Sequence, residues 1–477
     1  MTLLRSRLPW LEPALVAENL AHLHGENGLI WLDGDGSELG RHITLAVDPL
    51  EQYCCRGLPG DPGATNPFTT LRHLKDGHWT GWLSYDAAAW TEPGNPWRRD
   101  VMATLWIARH DPVLRFDLKA REIHLEGVDP IRHAAMARTL ERLTPTKITS
   151  WQGKTLGCSW HRHSDRSTYK AGVSTIRELI ASGDLFQANL TSCASSTLSN
   201  NVSNLELYGR LRDQCPAPFS GLLVGSGAAT GEAVLSTSPE RFLQVEASGA
   251  VQTRPIKGTR PRHADPCIDD DLAADLVCSA KDRAENVMIV DLLRNDLGRV
   301  CRPGSVQVPD LVRLESYARV HHLTSVVTGQ LREDASWVDL LEASWPGGSI
   351  TGAPKLRACQ RLHELEAQAR GPYCGSILHI DWNGHFDSNI LIRTLLRKDT
   401  QLRLHAGCGI VADSDPEAEA DELDWKLLPL LVLSEFVAIG RGDNSPPMTS
   451  DKRIVYGECE SHILHHQSLS DDLGLLC

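Results

Sequence analysis

Across residues 165–182 the apolar positions Tyr169, Val173, Ile176, Leu179 and Ile180 recur at three- and four-residue spacing, and Gly183 follows. That period predicts an amphipathic helix ended by its glycine. The next segment, LFQANLTS at 185–192, changes period: Phe186, Ala188 and Leu190 alternate with Gln187, Asn189 and Thr191. This predicts a strand with one apolar and one polar face. A polar face with two amides either lines a cavity or faces solvent, and the solvated reading is the ordinary one. Residues 377–397 predict a hairpin about Asn383-Gly384, a tight-turn dipeptide. Its second strand carries Arg393 among Ile390, Leu391, Ile392 and Leu395, where a charge is costly unless paired. Arg393 is therefore either half of a rim ion pair or a buried ligand for an anion, since its fork fits a carboxylate with two bonds. Two more helices are predicted, one in SAKDRAENVMIVDLLRND ending at Gly298 and one opened by Asp415-Pro416.

On a coarser scale, residues 1–150 read as tryptophan-rich strands and loops, punctuated by GLPGDPGATNP at 57–67 and EPGNP at 92–96. A second region runs from about 160 to 437 without a linker-like segment, and 440–477 reads as a flexible tail in which Ile454-Val455-Tyr456 is a candidate short strand. Composition then narrows the class. The chain has 477 residues, 41% apolar and 23% charged, an ordinary soluble mix, with no internal repeat. A net charge of −13 leaves no global basic field, so no nucleic-acid partner is expected. Apolar stretches such as 427–433 fall far short of the ~20 residues that cross a bilayer, so no membrane partner is expected either. The opening MTLLRSRLPWLEPALVAENL is broken by Arg5, Arg7, Pro9, Glu12 and Pro13, which argues against a secretory signal. Thirteen cysteines without a CxxC pair fit a reduced, cytoplasmic chain.

Several segments carry candidate chemistry. In PIKGTRPR at 255–262, Lys257 lies near Arg254, Arg260 and Arg262; neighbouring positive charge and partial burial favour a neutral, nucleophilic amine. The bland alternative is a basic loop that steers anions. On the helix opened by Asp415, the residues Glu419, Glu422 and Lys426 share a face, and two carboxylates so placed either hold a hard divalent cation or form a solvated acidic face. Glu285 is a third acid, in the first turns of its helix, where it also suits the helix dipole. GGSITGAPK at 347–355 offers flexible glycines and free N–H groups at a helix start, which suits a small carboxylate ligand; no P-loop lysine follows. GCGIVA at 407–412 mimics a dinucleotide fingerprint, but Asp415, Glu417 and Glu419 at the next helix start would repel a pyrophosphate.

SPERF (238–242), PIKGT (255–259), DRAENVMIVDLLRND (282–296), HHLTS (321–325), GGSITGAPK, IRT (392–394) and GCGIVADSDPEAEADE (407–422) stand in one order. Together they resemble the chorismate-utilising enzymes, densely over 165–433 and loosely before. Lys257 stands where the anthranilate and isochorismate branches of that family carry Ala, so the sequence is most similar to the aminodeoxychorismate-forming branch. The resemblance implies an α+β fold, a layered sandwich of antiparallel β-sheets with outer helices, and an N-terminal region (1–150) interleaved with the catalytic domain at 160–437. It implies conversion of chorismate and ammonia to 4-amino-4-deoxychorismate on the para-aminobenzoate route to folate, with Mg2+ as cofactor. No glutaminase module is read in the chain, so ammonia is expected from a separate glutamine amidotransferase subunit, forming a heterodimer.

The residue roles implied by the resemblance are as follows. Lys257 attacks the ring, Glu240 protonates the leaving hydroxyl, and His322 hydrogen-bonds nearby. Glu285, Glu422 and Glu419 hold the metal. Tyr373, Arg393 and N–H groups near Gly409 grip the enolpyruvyl carboxylate, while Thr351, Gly348 and Gly352 close the pocket. LDGDGSELG at 32–40 departs from the segment that signals tryptophan feedback in the anthranilate branch, with Ser37 as a candidate residual contact. The alternatives are an anthranilate synthase component I and a non-catalytic chorismate-binding protein.

Overall fold

A computed structural model describes residues 2–143, 158–198, 202–317 and 320–431. The tail read at 440–477, with its candidate strand at Ile454, lies outside the described residues. Two antiparallel sheets face each other. The first, twelve-stranded among the described residues, runs Leu4–Leu8, Glu122–Gly127, Val113–Asp117, His42–Ala46, Ile30–Asp33, Phe219–Val224, Glu232–Ser238, Thr394–Lys398, Gln401–Ile410, Gln187–Thr197 and Gly352–Ala353, with His161–Arg162 as a side branch. The second, ten-stranded, runs Ile256–Pro261, Val320–Gln330, Ala250–Thr253, Arg241–Val245, Phe386–Asn389, Ser376–Ile380, His78–Leu83, Leu105–His110 and Glu51–Cys55, with Gln307–Ser316 paired to Val320–Gln330.

Period-two alternation divides the buried side chains between two cores. Ile30, Leu223, Val234 and Leu396 point inward to a core shared with Trp82, Trp106, Leu243 and Leu378 of the second sheet. Their neighbours Trp31, Leu222, Leu235 and Leu395 point outward, onto helices Pro13–His24, Arg166–Ala181, Asn204–Gln214, Lys355–Leu365 and Pro416–Leu431. Helix Ala280–Gly298 packs on the second sheet through Ile289, Leu293 and Leu297. The architecture is thus an α+β layered sandwich with outer helices, and strands from residues 4–127 are built into both sheets. Trp82 stands opposite Trp106 in register, and the two rings stack at 4.9 Å; such a pair adds about 0.5–1.5 kcal/mol beyond its buried area.

Local predictions meet this frame in instructive ways. The helix at 165–182 forms as Arg166–Ala181, capped by the Asp165 side chain. The strand after it forms as Gln187–Thr197, but its faces differ from the alternation reading. Phe186 is 69% exposed, whereas Gln187, Asn189 and Thr191 are buried. A partner strand and the glycine loop cover the polar face, so it lines the interior and is not solvated. The hairpin about Asn383-Gly384 forms from Ser376–Ile380 and Phe386–Asn389. Its second strand then ends: the chain crosses at 390–393 and re-enters the other sheet as Thr394–Lys398. Arg393 therefore sits at the crossing, with φ of 50°, and is not part of a strand. The apolar run had concealed the change of sheet.

Candidate active site

Lys257 lies on Ile256–Pro261, an edge strand paired to Val320–Gln330. The register shifts between Lys257 and Thr259, and Gly258 there has φ of 80°. A side chain at 258 would press on Leu276 and Asp282, so glycine suits both the turn and the close approach. The bulge leaves Lys257 mostly buried, its Nζ donating to Glu285 Oε1 (2.8 Å) and to the Ser349 carbonyl (3.2 Å). Arg254, Arg260 and Arg262 do not act as free positive charges beside it. Each is paired to a carboxylate: Glu315 at 2.5 Å, Asp275 at 2.7 Å and Asp269 at 2.7 Å. The charge environment of Lys257 is set by the acids around it.

Glu240 is held in the bend between Glu232–Ser238 and Arg241–Val245. Its backbone N–H donates to Ser238 Oγ (3.2 Å) and its carbonyl accepts from Ile390 (3.0 Å). Burial pushes its carboxyl up to about 7, against the opposing pull of Lys257 and hydrogen bonds from Ser349 and the Ile256 backbone. A mostly buried lysine and a carboxyl that is half protonated at neutral pH therefore share the Ser349 corner of the glycine loop.

Gly409 lies opposite Asn189 across the sheet. A Cβ at 409 would collide with Glu285 Oε1 and the Gln187 amide, so this glycine makes room for both groups. Gln187 Nε2 donates to Glu285 Oε1, while Gln187 Oε1 is buried without a partner. Glu419 is 2% exposed; its Oε1 accepts from Lys281 Nζ (2.7 Å) and Ser414 Oγ (2.6 Å), and its Oε2 is buried without a partner. Glu422 pairs with Lys426 at 2.7 Å. Ligand atoms of Glu419, Glu422 and Cys408 lie within 4.8 Å of one another, a group that does not include Glu285. Three carboxylates thus each hold a lysine ammonium: Lys257, Lys281 and Lys426. Oxygen donors with an unsatisfied buried carboxylate atom fit a hard divalent cation.

His322, buried, accepts or donates at Nδ1 with Thr259 Oγ1 (2.8 Å). Burial, with Arg393 nearby, holds its ring down to about 4, so it is neutral at physiological pH. Burial also lowers Arg393 from the ordinary guanidinium range. Among the described residues its guanidinium makes no ion pair, which excludes the rim-pair reading. Thr351 Oγ1 donates to the Gly347 carbonyl (2.8 Å), and its own carbonyl accepts from the Asn189 N–H (2.7 Å). Gly352 has φ of 151° and passes so close to the Gln187 carbonyl that no side chain fits. Gly348 packs against Leu292. Tyr373 is buried and stacked on His405 at 5.0 Å.

Sequence reasoning missed Lys281, Gln187 as a partner of Glu285, and the buried pair Glu366–Arg370. Arg370 also donates to the carbonyls of Ile350 (2.7 Å) and Asn189 (2.8 Å), bracing the glycine loop against the first sheet. Only the last had a local signal: Glu366 precedes Arg370 by four residues, whereas Lys281 meets Glu419 from 138 residues away.

Residues 50–432 match the family described as chorismate binding enzyme. The aminodeoxychorismate synthase component 1 of Klebsiella aerogenes is 43% identical over 387 residues, covering 80% of this chain and 81% of that protein. The same-named protein of Salmonella typhimurium is 45% identical over 280 residues, a match that spans 58% of each chain. Among solved structures, anthranilate synthase component I of Streptococcus pneumoniae superposes with a TM-score of 0.70 at 28% identity, over 87% of this chain and 96% of that one. With the family match covering residues 50–432, which include Lys257, Glu240, His322 and the candidate metal and substrate residues, this chain belongs to the chorismate binding enzymes.

Proposed function

We propose that the chain aminates chorismate at C4 to give 4-amino-4-deoxychorismate, on the route to para-aminobenzoate and folate. The observation that supports this most directly is the mostly buried Lys257, between the Glu285 carboxylate and the Glu240 carboxyl. The relatives named aminodeoxychorismate synthase component 1 support the same reading, and "component 1" supports a second subunit, proposed as a glutamine amidotransferase supplying ammonia.

Lys257 Nζ, having given its ammonium proton to solvent, attacks C2 of the ring as the neutral amine. The double bond shifts and the C4 hydroxyl leaves, taking the proton of Glu240 to depart as water. Glu240 is then a carboxylate beside C4. Ammonia attacks C4, gives a proton to Glu240, and the shift in reverse expels Lys257 from C2. The enolpyruvyl group is retained throughout. Arg393, half-buried and without an ion-pair partner among the described residues, grips a substrate carboxylate, assisted by Tyr373 and the backbone near Gly409. His322, itself neutral, orients Thr259 beside the Arg393 guanidinium. Thr351, Gly348 and Gly352 fix the loop that carries Ser349. Glu285 and Glu422, with the free oxygen of Glu419, would hold Mg2+, which when bound would polarise the ring carboxylate and balance the acids against an anionic substrate.

A second reading, anthranilate formation, is favoured by the fold shared with the pneumococcal enzyme. One assay separates the two: purified chain, chorismate, Mg2+ and an ammonium salt, with products resolved by chromatography. Aminodeoxychorismate without pyruvate release is the expected result. Anthranilate with pyruvate would overturn the proposal, and chorismate binding without turnover would leave only a binding protein.

A further inference from the structure

Gly407 and Gly409 alternate with Cys408 on strand Gln401–Ile410, so the thiol points to the face opposite Glu285, toward helix Pro416–Leu431. There, Sγ of Cys408 and a carboxylate oxygen from each of Glu419 and Glu422 lie within 4.8 Å of one another. Zn–S is about 2.3 Å and Zn–O about 2.0–2.2 Å, so donors on one tetrahedral ion stand about 3.4–3.7 Å apart, roughly 1 Å inside the outer limit of the observed group. Closing the observed group onto an ion needs only side-chain adjustment. We propose that Cys408, Glu419 and Glu422 form a site for a thiophilic divalent cation of the Zn2+ or Cd2+ class.

Two further observations point to a cation here. Glu419 is 2% exposed, and its Oε2 has no partner, a costly state for a buried carboxylate oxygen that an ion would relieve. A positive charge also already occupies the place: Lys426 Nζ sits 2.7 Å from Glu422 Oε1, 2.9 Å from the Gly407 carbonyl and 3.8 Å from Cys408 Sγ. The Lys426 side chain is 45% exposed, so it can swing to solvent as the ion enters. Sulfur decides the selectivity, because thiolate favours Zn2+ and Cd2+ whereas Mg2+ prefers oxygen ligands. The thiol releases its proton to solvent as the metal–sulfur bond forms. An ion bound here takes Glu419 and Glu422 away from Mg2+, so it inhibits. That consequence rests on the Mg2+ reading above; the binding itself does not.

The test is Cd2+ titration of the metal-free full chain, read by the ultraviolet charge-transfer absorption of cadmium thiolate. Wild type, Cys408→Ser and Cys408→Ala are compared, the exposed Cys267 and Cys278 giving a background common to all three. The expected result is one tight equivalent in wild type whose charge-transfer band is lost, above the common background, without the thiol. Glu422→Gln, on a half-exposed side chain, should weaken the same equivalent and serves if the cysteine variants do not fold. An undiminished tight equivalent in Cys408→Ser and Glu422→Gln would overturn the site. Added Mg2+ should displace the Cd2+. Cadmium bound through Cys408 but indifferent to Mg2+ would leave this site standing and count against Glu419 and Glu422 as Mg2+ ligands.

Discussion

Glu240 shows how burial sets a residue's chemistry. Its carboxyl is pushed to about 7 from an ordinary 4.5, so about half of it holds a proton at neutral pH and can give it to a leaving hydroxyl. Formation of a covalent adduct without ammonia should therefore fall as pH rises through about 7. Glu240→Gln should be slower by on the order of 10²–10⁴-fold and lose that decline; rapid-quench measurement across pH checks both. The same shift carries a stability sign. Between about 4.5 and 7 the folded chain holds the proton that the unfolded chain has lost, so Glu240 makes stability fall as pH rises through that window. Denaturant midpoints of wild type and Glu240→Gln should converge toward low pH and separate above 7. At this scale the sequence named Lys257 and Glu240 because each lies in a short contiguous motif. It could not name Ser349 as a partner of Lys257, Gln187 as a partner of Glu285 or Lys281 as the partner of Glu419, since those contacts join segments up to 138 residues apart. Nor could it show that the arginines around Lys257 are neutralised by acids on other elements.

Elements were legible where one period ran without interruption. Arg166–Ala181, Ala280–Gly298 and Pro416–Leu431 follow their apolar spacing and caps. The reading failed where a run crossed between layers, at Arg393, and where a polar strand face was covered by elements far away in sequence, at Gln187 and Asn189. Strand Gln401–Ile410 gives a sharp test of how an element shapes the site. Gly409→Ala puts a methyl group against Glu285 and the Gln187 amide. It should cost about 1–3 kcal/mol by overpacking, measured by denaturant unfolding. It should also cut turnover by more than that loss of stability explains, because Glu285 must move off Lys257. Unchanged turnover in a folded Gly409→Ala would count against Glu285 acting from that position.

For the whole molecule, the two sheets are made jointly by both ends of the chain. Ile30–Asp33 is hydrogen-bonded between His42–Ala46 and Phe219–Val224, and His78–Leu83 between Leu105–His110 and Ser376–Ile380. Composition could not reveal this; it followed from the family resemblance, because strand pairing at such separation leaves no local pattern. A chain that begins at residue 158 exposes the edges and inner faces of both sheets. It should be insoluble or lack a cooperative transition by circular dichroism; a soluble fragment with a sharp transition would contradict the interleaved account. The central claim, that Lys257 forms the covalent bond, is tested by the mass of the intact chain. After chorismate and Mg2+ without ammonia, followed by rapid acid denaturation, part of the population should be heavier by one chorismate less one water, and peptide mapping should place the gain on Lys257. Lys257→Ala should show no gain while still binding chorismate. A gain on any other residue, or one that persists in Lys257→Ala, would contradict the account.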